Sequence, residues 1–282
     1  MRSENRAGRL LLLPMGLLLT ALALVPIAGV LGLSLQKRMP IFQISEFVGL
    51  ANYRFLLSDP RFWSALKNTL LFTAASVSLE LAIGLGIALL LQRGSRLGPV
   101  RAVVLIPWVI PTVVTAKMWE WIYHPGFGIL NYLLGTDINW LGDPRWAMPA
   151  AIMADVWKTT PFVVILFVAG LQVIPRDLYL AALVDGASGL QIFRSITLPL
   201  LKPVILIVLL FRTLDAFRVF DTIYVLTGGG PANTTETLSI YAYKVLFQIL
   251  EFGYGSALAV ATFFAVMIIS LVYIRILKRR PA

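Results

Sequence analysis

The sequence predicts an all-α integral membrane protein with six transmembrane helices, and three observations predict it. The chain is 59% hydrophobic and only 13% charged, with a mean hydropathy of +0.84, more apolar surface than a water-soluble domain can bury. Six apolar runs, each close to the roughly 20 residues that cross a bilayer as a helix, lie at about 10–35, 68–92, 100–123, 147–171, 202–226 and 256–277. The positive charges are divided unequally between the two sets of loops. Arg2, Arg6, Arg9, Arg93, Arg96, Arg101, Arg176, Arg194, Lys202, Arg275, Lys278, Arg279 and Arg280 fall with the termini, against Lys37, Arg38, Arg54, Arg61, Lys67, Arg145 and Lys244 opposite. The positive-inside rule then places both termini in the cytoplasm, which an even number of spans requires. The expected molecule is a single transmembrane domain over 1–282, a multi-pass protein of the cytoplasmic membrane with the lipid bilayer as solvent. Its net charge of +10 is accounted for by this topology and calls for no nucleic acid.

The first run has an Arg-rich start, but it continues to Leu35, too long for a cleaved signal segment, so it is expected to remain as a span. In the following loop, Ser58-Asp59-Pro60 is a helix start, a capping residue followed by a first-turn proline. Phe62, Trp63 and Leu66 offer an apolar face for a helix on the membrane surface or for a partner. Pro107 and Pro111 should kink the third span. That span ends in KMWEWIYH, where Trp119, Trp121 and Tyr123 read as an interfacial belt with Lys117 and Glu120 snorkelling. His124, the single histidine, reads as a solvated turn residue. After the fifth span, TGGGPANTTETL turns at Gly228–Pro231, and Asn233 with Glu236 resembles a capping box that should restart a helix near Thr234 and carry it to about Ile249.

The segment 172–201, between the fourth and fifth spans, is different in kind. Pro175 should start a helix that Asp185-Gly186 ends; Ser188 with Gln191 forms a capping box for a second, expected to stop before Pro199. Leu183, Leu190, Ile192, Phe193 and Ile196 are too few to span anything and must pack on the bilayer edge, the protein or a partner.

No active site is readable. There is no phosphate-cradling Gly-rich loop, catalytic triad or metal-ligand cluster, and the absence of cysteine removes disulfides, thiol catalysis and Cys-ligated metals. An ATP-driven process would need its ATP bound by another subunit. Charges inside spans are costly and face a cavity or one another. Asp155 and Lys158 share a face of the fourth span, RTLDAFRVFD sets Arg212, Asp215, Arg218 and Asp221 at steps of three in the fifth, and Glu80 sits near the middle of the second. Two readings stay open. Asp155, Lys158, Arg212 and Asp215 line a wet substrate pathway, with Phe217, Phe220, Tyr224 or Trp157 to stack on a ring; or the charges form a self-neutralising network, the reading favoured for Arg218 and Asp221. On the first, neutralising Arg212 or Asp215 should impair transport with assembly intact.

AALVDGASGLQIFRSITLP resembles the cytoplasmic loop signature of the membrane subunits of binding-protein-dependent ABC importers: Glu-Ala-Ala, two residues, Asp-Gly-Ala, then Ile-x-Leu-Pro. Ala181, Ala182, Asp185, Gly186, Ala187, Phe193, Ile196, Leu198 and Pro199 match, and Leu180 stands where the signature has Glu. FVGLANY, NTL and TGGGPANTTETL extend the likeness over nearly the whole chain, most closely to the carbohydrate subgroup similar to maltose/trehalose permeases. The resemblance implies a type I importer permease, non-catalytic and without a cofactor of its own. The loop, through Ala181, Ala182, Asp185, Gly186, Ala187, Phe193 and Pro199, would be a coupling helix seated on an ATPase. The implied partners are a second homologous permease, two ATPase subunits carrying MgATP and an extracytoplasmic sugar-binding protein. The implied cargo is a di- or oligosaccharide, with glycerol phosphate or a compatible-solute glycoside as alternatives. An ion-driven secondary transporter would show inverted repeats and broken helices with a midplane ion site, and a membrane scaffold has no use for such a loop.

Overall fold

The computed structural model describes residues 14–92 and 98–278. Residues 10–13 of the first expected span and the basic residues Arg2, Arg6, Arg9, Arg93, Arg96, Arg279 and Arg280 lie outside them. The described chain is built from helices α1 (Pro14–Ser34), α2 (Ala51–Ser58), α3 (Pro60–Gln92), α4 (Gly98–Val109), α5 (Thr112–Ile122), α6 (Ile129–Leu134), α7 (Ala147–Gln172), α8 (Arg176–Val184), α9 (Gly189–Phe217), α10 (Asp221–Leu226), α11 (Leu238–Ile249) and α12 (Phe252–Lys278), with a hairpin of β1 (Gln36–Met39) and β2 (Ile44–Phe47). Five of these, α1, α3, α7, α9 and α12, are long and apolar enough to cross a membrane. The pair α4 and α5, bent by 100° around Pro111, makes a sixth when taken as one broken span.

The chain divides into two compact units. The first comprises residues 1–63 and 241–265. In it, Gln36 pairs with Phe47 and Lys37 with Glu46 across the antiparallel hairpin, and Asn52 Nδ2 donates to the Ser34 and Gln36 carbonyls at 2.8 and 2.9 Å. Asp59 caps α3: its Oδ1 accepts from the Arg61 amide at 2.9 Å, and its Oδ2 accepts from the Tyr241 and Tyr254 hydroxyls, each at 2.6 Å.

The second comprises residues 64–240 and 266–282, and α7, more buried than α3 or α9, is its centre. Ala151, Ala154, Val163 and Phe167 of α7 pack with Phe72 and Ala88 of α3 and with Leu201, Val208 and Ala216 of α9. Close approach of α3 to α7 needs Gly84, where an added Cβ would stand 2.7 Å from Val163 Cγ1.

Several expectations change. The predicted surface helix at Phe62 and the second span are one 33-residue helix, α3, about 50 Å long and so able to project beyond the roughly 30 Å hydrocarbon layer; Phe62 is buried and only Trp63 is exposed. Tyr123 is not a belt residue but fully buried, its hydroxyl donating to the Ala150 carbonyl at 2.8 Å. Asn233 does not cap a helix: it adopts a left-handed φ of 61°, the Glu236 amide donates to its backbone carbonyl, and the helix begins only at Leu238. Nor does a helix stop before Pro199. A π-turn at Phe193–Thr197 widens the ladder just ahead of the proline, whose missing N–H and ring would otherwise break it, and the helix runs through from Gly189 to Phe217. The fifth span instead breaks at Arg218–Phe220, before α10.

Candidate functional site

Two features stand out in the second unit. The first is α8 and the start of α9. α8 ends in a Schellman arrangement: the Ala187 amide donates to the Ala182 carbonyl at 2.9 Å and the Gly186 amide to Leu183 at 3.1 Å, while the Asp185 amide reaches Ala181 at 3.0 Å. This closure puts Gly186 at a φ of 73°, a conformation that costs any residue with a Cβ. Ser188 then opens α9 with a complete capping box on Gln191. The spacing Ala-Ala, two residues, Asp-Gly-Ala is therefore that of one helix end: carbonyls at Ala181 and Ala182, the cap at Asp185, the left-handed residue at Gly186. Tyr179 and Thr197 hydroxyls, 3.2 Å apart, join the two helices. Phe193, Tyr179, Ile192 and Arg176 border a cavity of about 930 Å³ that reaches Leu89 of α3 and Leu171 of α7. Leu183 and Leu190 line the same cavity, and with Leu180 and Val184 they are 59–88% exposed.

The second is a cavity of about 650 Å³ walled by α7, α9, α10 and the broken span, with Asp155, Lys158, Arg212, Asp215, Arg218 and Asp221 in its lining. Trp108, Phe162 and Phe220 add ring faces. The helix break after Phe217 brings Asp221 to the same cavity as Arg212, which an unbroken helix would not do. Arg212 is the hub. Its Nε donates to Glu80 Oε2 at 2.5 Å and its Nη2 to Glu80 Oε1 at 2.9 Å, a two-point fork; Nη1 donates to Asp215 Oδ2 at 2.5 Å and Nη2 to Asp155 Oδ2 at 3.4 Å. Thr159 Oγ1 lies 2.9 Å from Glu80 Oε1 and 2.6 Å from the Asp155 carbonyl. Lys158 reaches the break in the third span, its Nζ donating at 2.7 Å to the Ile110 carbonyl beside Pro111.

The family model of the "binding-protein-dependent transport system inner membrane component" matches residues 80–281. The chain belongs to that family. This permease is 44% identical to the trehalose/maltose transport system permease protein MalF of Thermococcus litoralis, covering 97% of this chain and 94% of that one. It is 40% identical to the sulfoquinovosyl glycerol transport system permease protein SmoG of Agrobacterium fabrum, over 96% and 90%. In fold it is similar to a chain of a crystal structure of a bacterial ABC transporter involved in alginate import, with a TM-score of 0.87 at 23% identity over 99% and 98% of the two chains. The type I importer permease architecture expected from the sequence is thereby shown.

Within this permease the four expected pathway residues meet at one cavity, but not as equals. The Asp215 side chain is 64% exposed, whereas those of Arg212 and Asp155 are 4% and 10% exposed. Of the aromatic candidates only Phe220 lines the cavity, stacked on Tyr224 with centroids 5.1 Å apart. Phe217 is buried, and Trp157 turns to Trp119. Sequence reasoning missed Trp108, whose place depends on the bend, and placed Glu80 without a partner because Arg212 lies 132 residues away. His124 is an exposed turn residue, its Nδ1 accepting from the Gly126 amide at 3.1 Å and its ring stacked on Phe127.

Proposed function

We propose that this permease is one of two membrane subunits of an ATP-driven importer of a di- or oligosaccharide. Its second subunit would be a related but distinct permease; two ATPase subunits carry the MgATP and an extracytoplasmic protein delivers the sugar. The 650 Å³ cavity carries the reading: a carboxylate, an ammonium and ring faces in its lining suit hydroxyls and a sugar ring. The trehalose/maltose relative supports the same cargo. The relative named for sulfoquinovosyl glycerol supports a glycerol-linked glycoside as the second reading.

Coupling follows from the shape of α9. One helix of 29 residues, about 44 Å long, has Leu190 at one end and Arg212 and Asp215 near the other. The bare apolar face of Leu180, Leu183 and Val184 is the surface to seat in an ATPase, with both termini and this segment on the cytoplasmic side. A short helix seated in a partner's groove moves with that partner. Closure of the ATPases on MgATP would then swing α9 and change the walls of the cavity. The two states must differ in contacts at both sites for such coupling to exist.

The test is purification of the tagged chain from its own host in mild detergent. A second permease and an ATPase should co-elute, hydrolyse MgATP and, in vesicles with the binding protein, move maltose or trehalose inward. A chain that elutes alone and takes up solute on an ion gradient would overturn the reading.

A further inference from the structure

We infer that Glu80 is a positioning residue for transport: it holds Arg212 in a two-point fork and thereby fixes Asp215 at the cavity wall. The inference rests on reading that cavity as the sugar pathway.

Glu80 is fully buried and does not line the cavity, so it cannot touch cargo there. It nevertheless commits both oxygens, Oε2 to Arg212 Nε and Oε1 to Arg212 Nη2, with Thr159 Oγ1 also against Oε1. A guanidinium is a rigid plane with five donors. Once Nε and Nη2 are pinned on one carboxylate, the direction of Nη1 is set, and Nη1 is the atom that meets Asp215. Asp215 Oδ2 takes that bond and the rest of the carboxylate faces the cavity.

The alternatives open to Arg212 show why the fork matters. Asp155, Asp215 and Glu80 all compete for it, while Lys158 is engaged on the Ile110 carbonyl. Without the Glu80 charge the guanidinium is free to re-form its fork on Asp155 or Asp215. A fork on Asp215 would cover both oxygens of a carboxylate that cargo can reach. Glu80 thus keeps Arg212 from becoming a lid over its neighbour. Gly84, one turn on, lets α3 come close enough to α7 for this geometry.

The experiment compares Glu80→Gln, Glu80→Asp, Asp215→Asn and the double variant Glu80→Gln/Asp215→Asn. All are assayed in the complete importer in proteoliposomes with saturating binding protein and maltose or trehalose as probe. The readout is sugar moved per ATP hydrolysed, per assembled complex. Glu80→Gln and Asp215→Asn should each lower it about tenfold, the scale of one lost hydrogen bond to a charged group. The double variant should be no worse than the poorer single one, because both break the same relay. Glu80→Asp keeps the charge but withdraws the fork by one methylene, and should stay impaired; it also carries the test if Glu80→Gln fails to assemble. Full activity in Glu80→Asp, or losses that multiply in the double variant, would reduce Glu80 to charge neutralisation. Normal transport in Asp215→Asn would instead sink the pathway reading itself, whatever Glu80 does.

Discussion

The interior of the membrane part and the segment between α7 and α9 invert the usual rule of burial in opposite senses. In the first, charged groups are hidden: Glu80, Asp155 and Arg212 are all below a tenth exposed. In the second, apolar groups are bare: Val184 is 88% exposed and Leu180, Leu183 and Leu190 about 60%. Each inversion costs free energy in this chain alone and needs a partner to offset it. The buried charges find theirs within the chain, through one guanidinium shared by three carboxylates. Among the described residues nothing covers the bare leucines, which is what a docking surface looks like before its partner is seated. Leu190 of the second region and Arg212 of the first both belong to α9, which runs from one to the other.

The largest effect should come from breaking the interior side of the comparison. Arg212→Leu leaves two buried carboxylates, Glu80 and Asp155, in a low-dielectric site without their common cation, at a cost of about 3–5 kcal/mol. Because Arg212 is buried and Asp215 exposed, loss of assembly is expected on neutralising Arg212 and not on neutralising Asp215. Detergent-extracted Arg212→Leu should yield little assembled complex and melt well below the parent in a thermal-shift assay. A normal melting temperature would mean that the network adds nothing to stability.

Gly186→Val attacks the exposed side. A φ of 73° costs a residue with a Cβ about 1–2 kcal/mol, and the helix end can relieve it only by opening the Schellman closure. The permease should still fold, since open space surrounds Gly186, but retain much less ATPase in pull-down and lose sugar-stimulated hydrolysis. Leu180→Glu is smaller. The signature Glu of the family is absent here, and Leu180 lies one turn from Leu183 and Val184, so the face is apolar. Burying one leucine contributes about 1.5–3 kcal/mol, so replacing it by a charge should weaken ATPase retention roughly tenfold. Leu180→Met should leave retention unchanged. Tighter ATPase binding by Leu180→Glu would show that the partner still keeps the site for the acid.

What could be read in the sequence follows the range of the interactions. Local chemistry was legible: the Gly186 helix end, the Ser188 capping box and the bend at Pro111 depend on neighbours a few residues apart. The span pattern was legible because bilayer thickness imposes it. Pairing across spans was not. Nothing near Glu80 says that its partner is Arg212, and nothing near Lys158 says that it will hold a carbonyl freed at Ile110. Proline misled once, at Pro199, because a π-turn absorbs it without any mark in composition. The apparent capping box at Asn233 failed because the turn of Gly228–Pro231 continues through it in left-handed backbone.

A buried carboxylate outside the spans supplies the smallest effect and a control for the network. Asp59 accepts from two tyrosine hydroxyls and from the Arg61 amide. Burial works against its charge, but the Tyr241 and Tyr254 hydroxyls and the Arg61 and Phe62 amides outweigh that and hold its carboxyl below the usual 3.8. Burial and the Asp59 carboxylate together push the Tyr241 hydroxyl up, so it stays a donor at neutral pH. Because the folded value lies below the unfolded one, Asp59 contributes stability above about pH 4. That contribution is lost as pH falls through the folded value. Asp59→Asn should therefore cost about 1–2 kcal/mol at neutral pH and less in acid, seen as melting curves of variant and parent that converge below pH 4. Curves that stay parallel would mean that the tyrosine bonds serve the shape of the α3 cap rather than its charge. The cation-held carboxylates of the interior would then be the only ones in this comparison stabilised as ions.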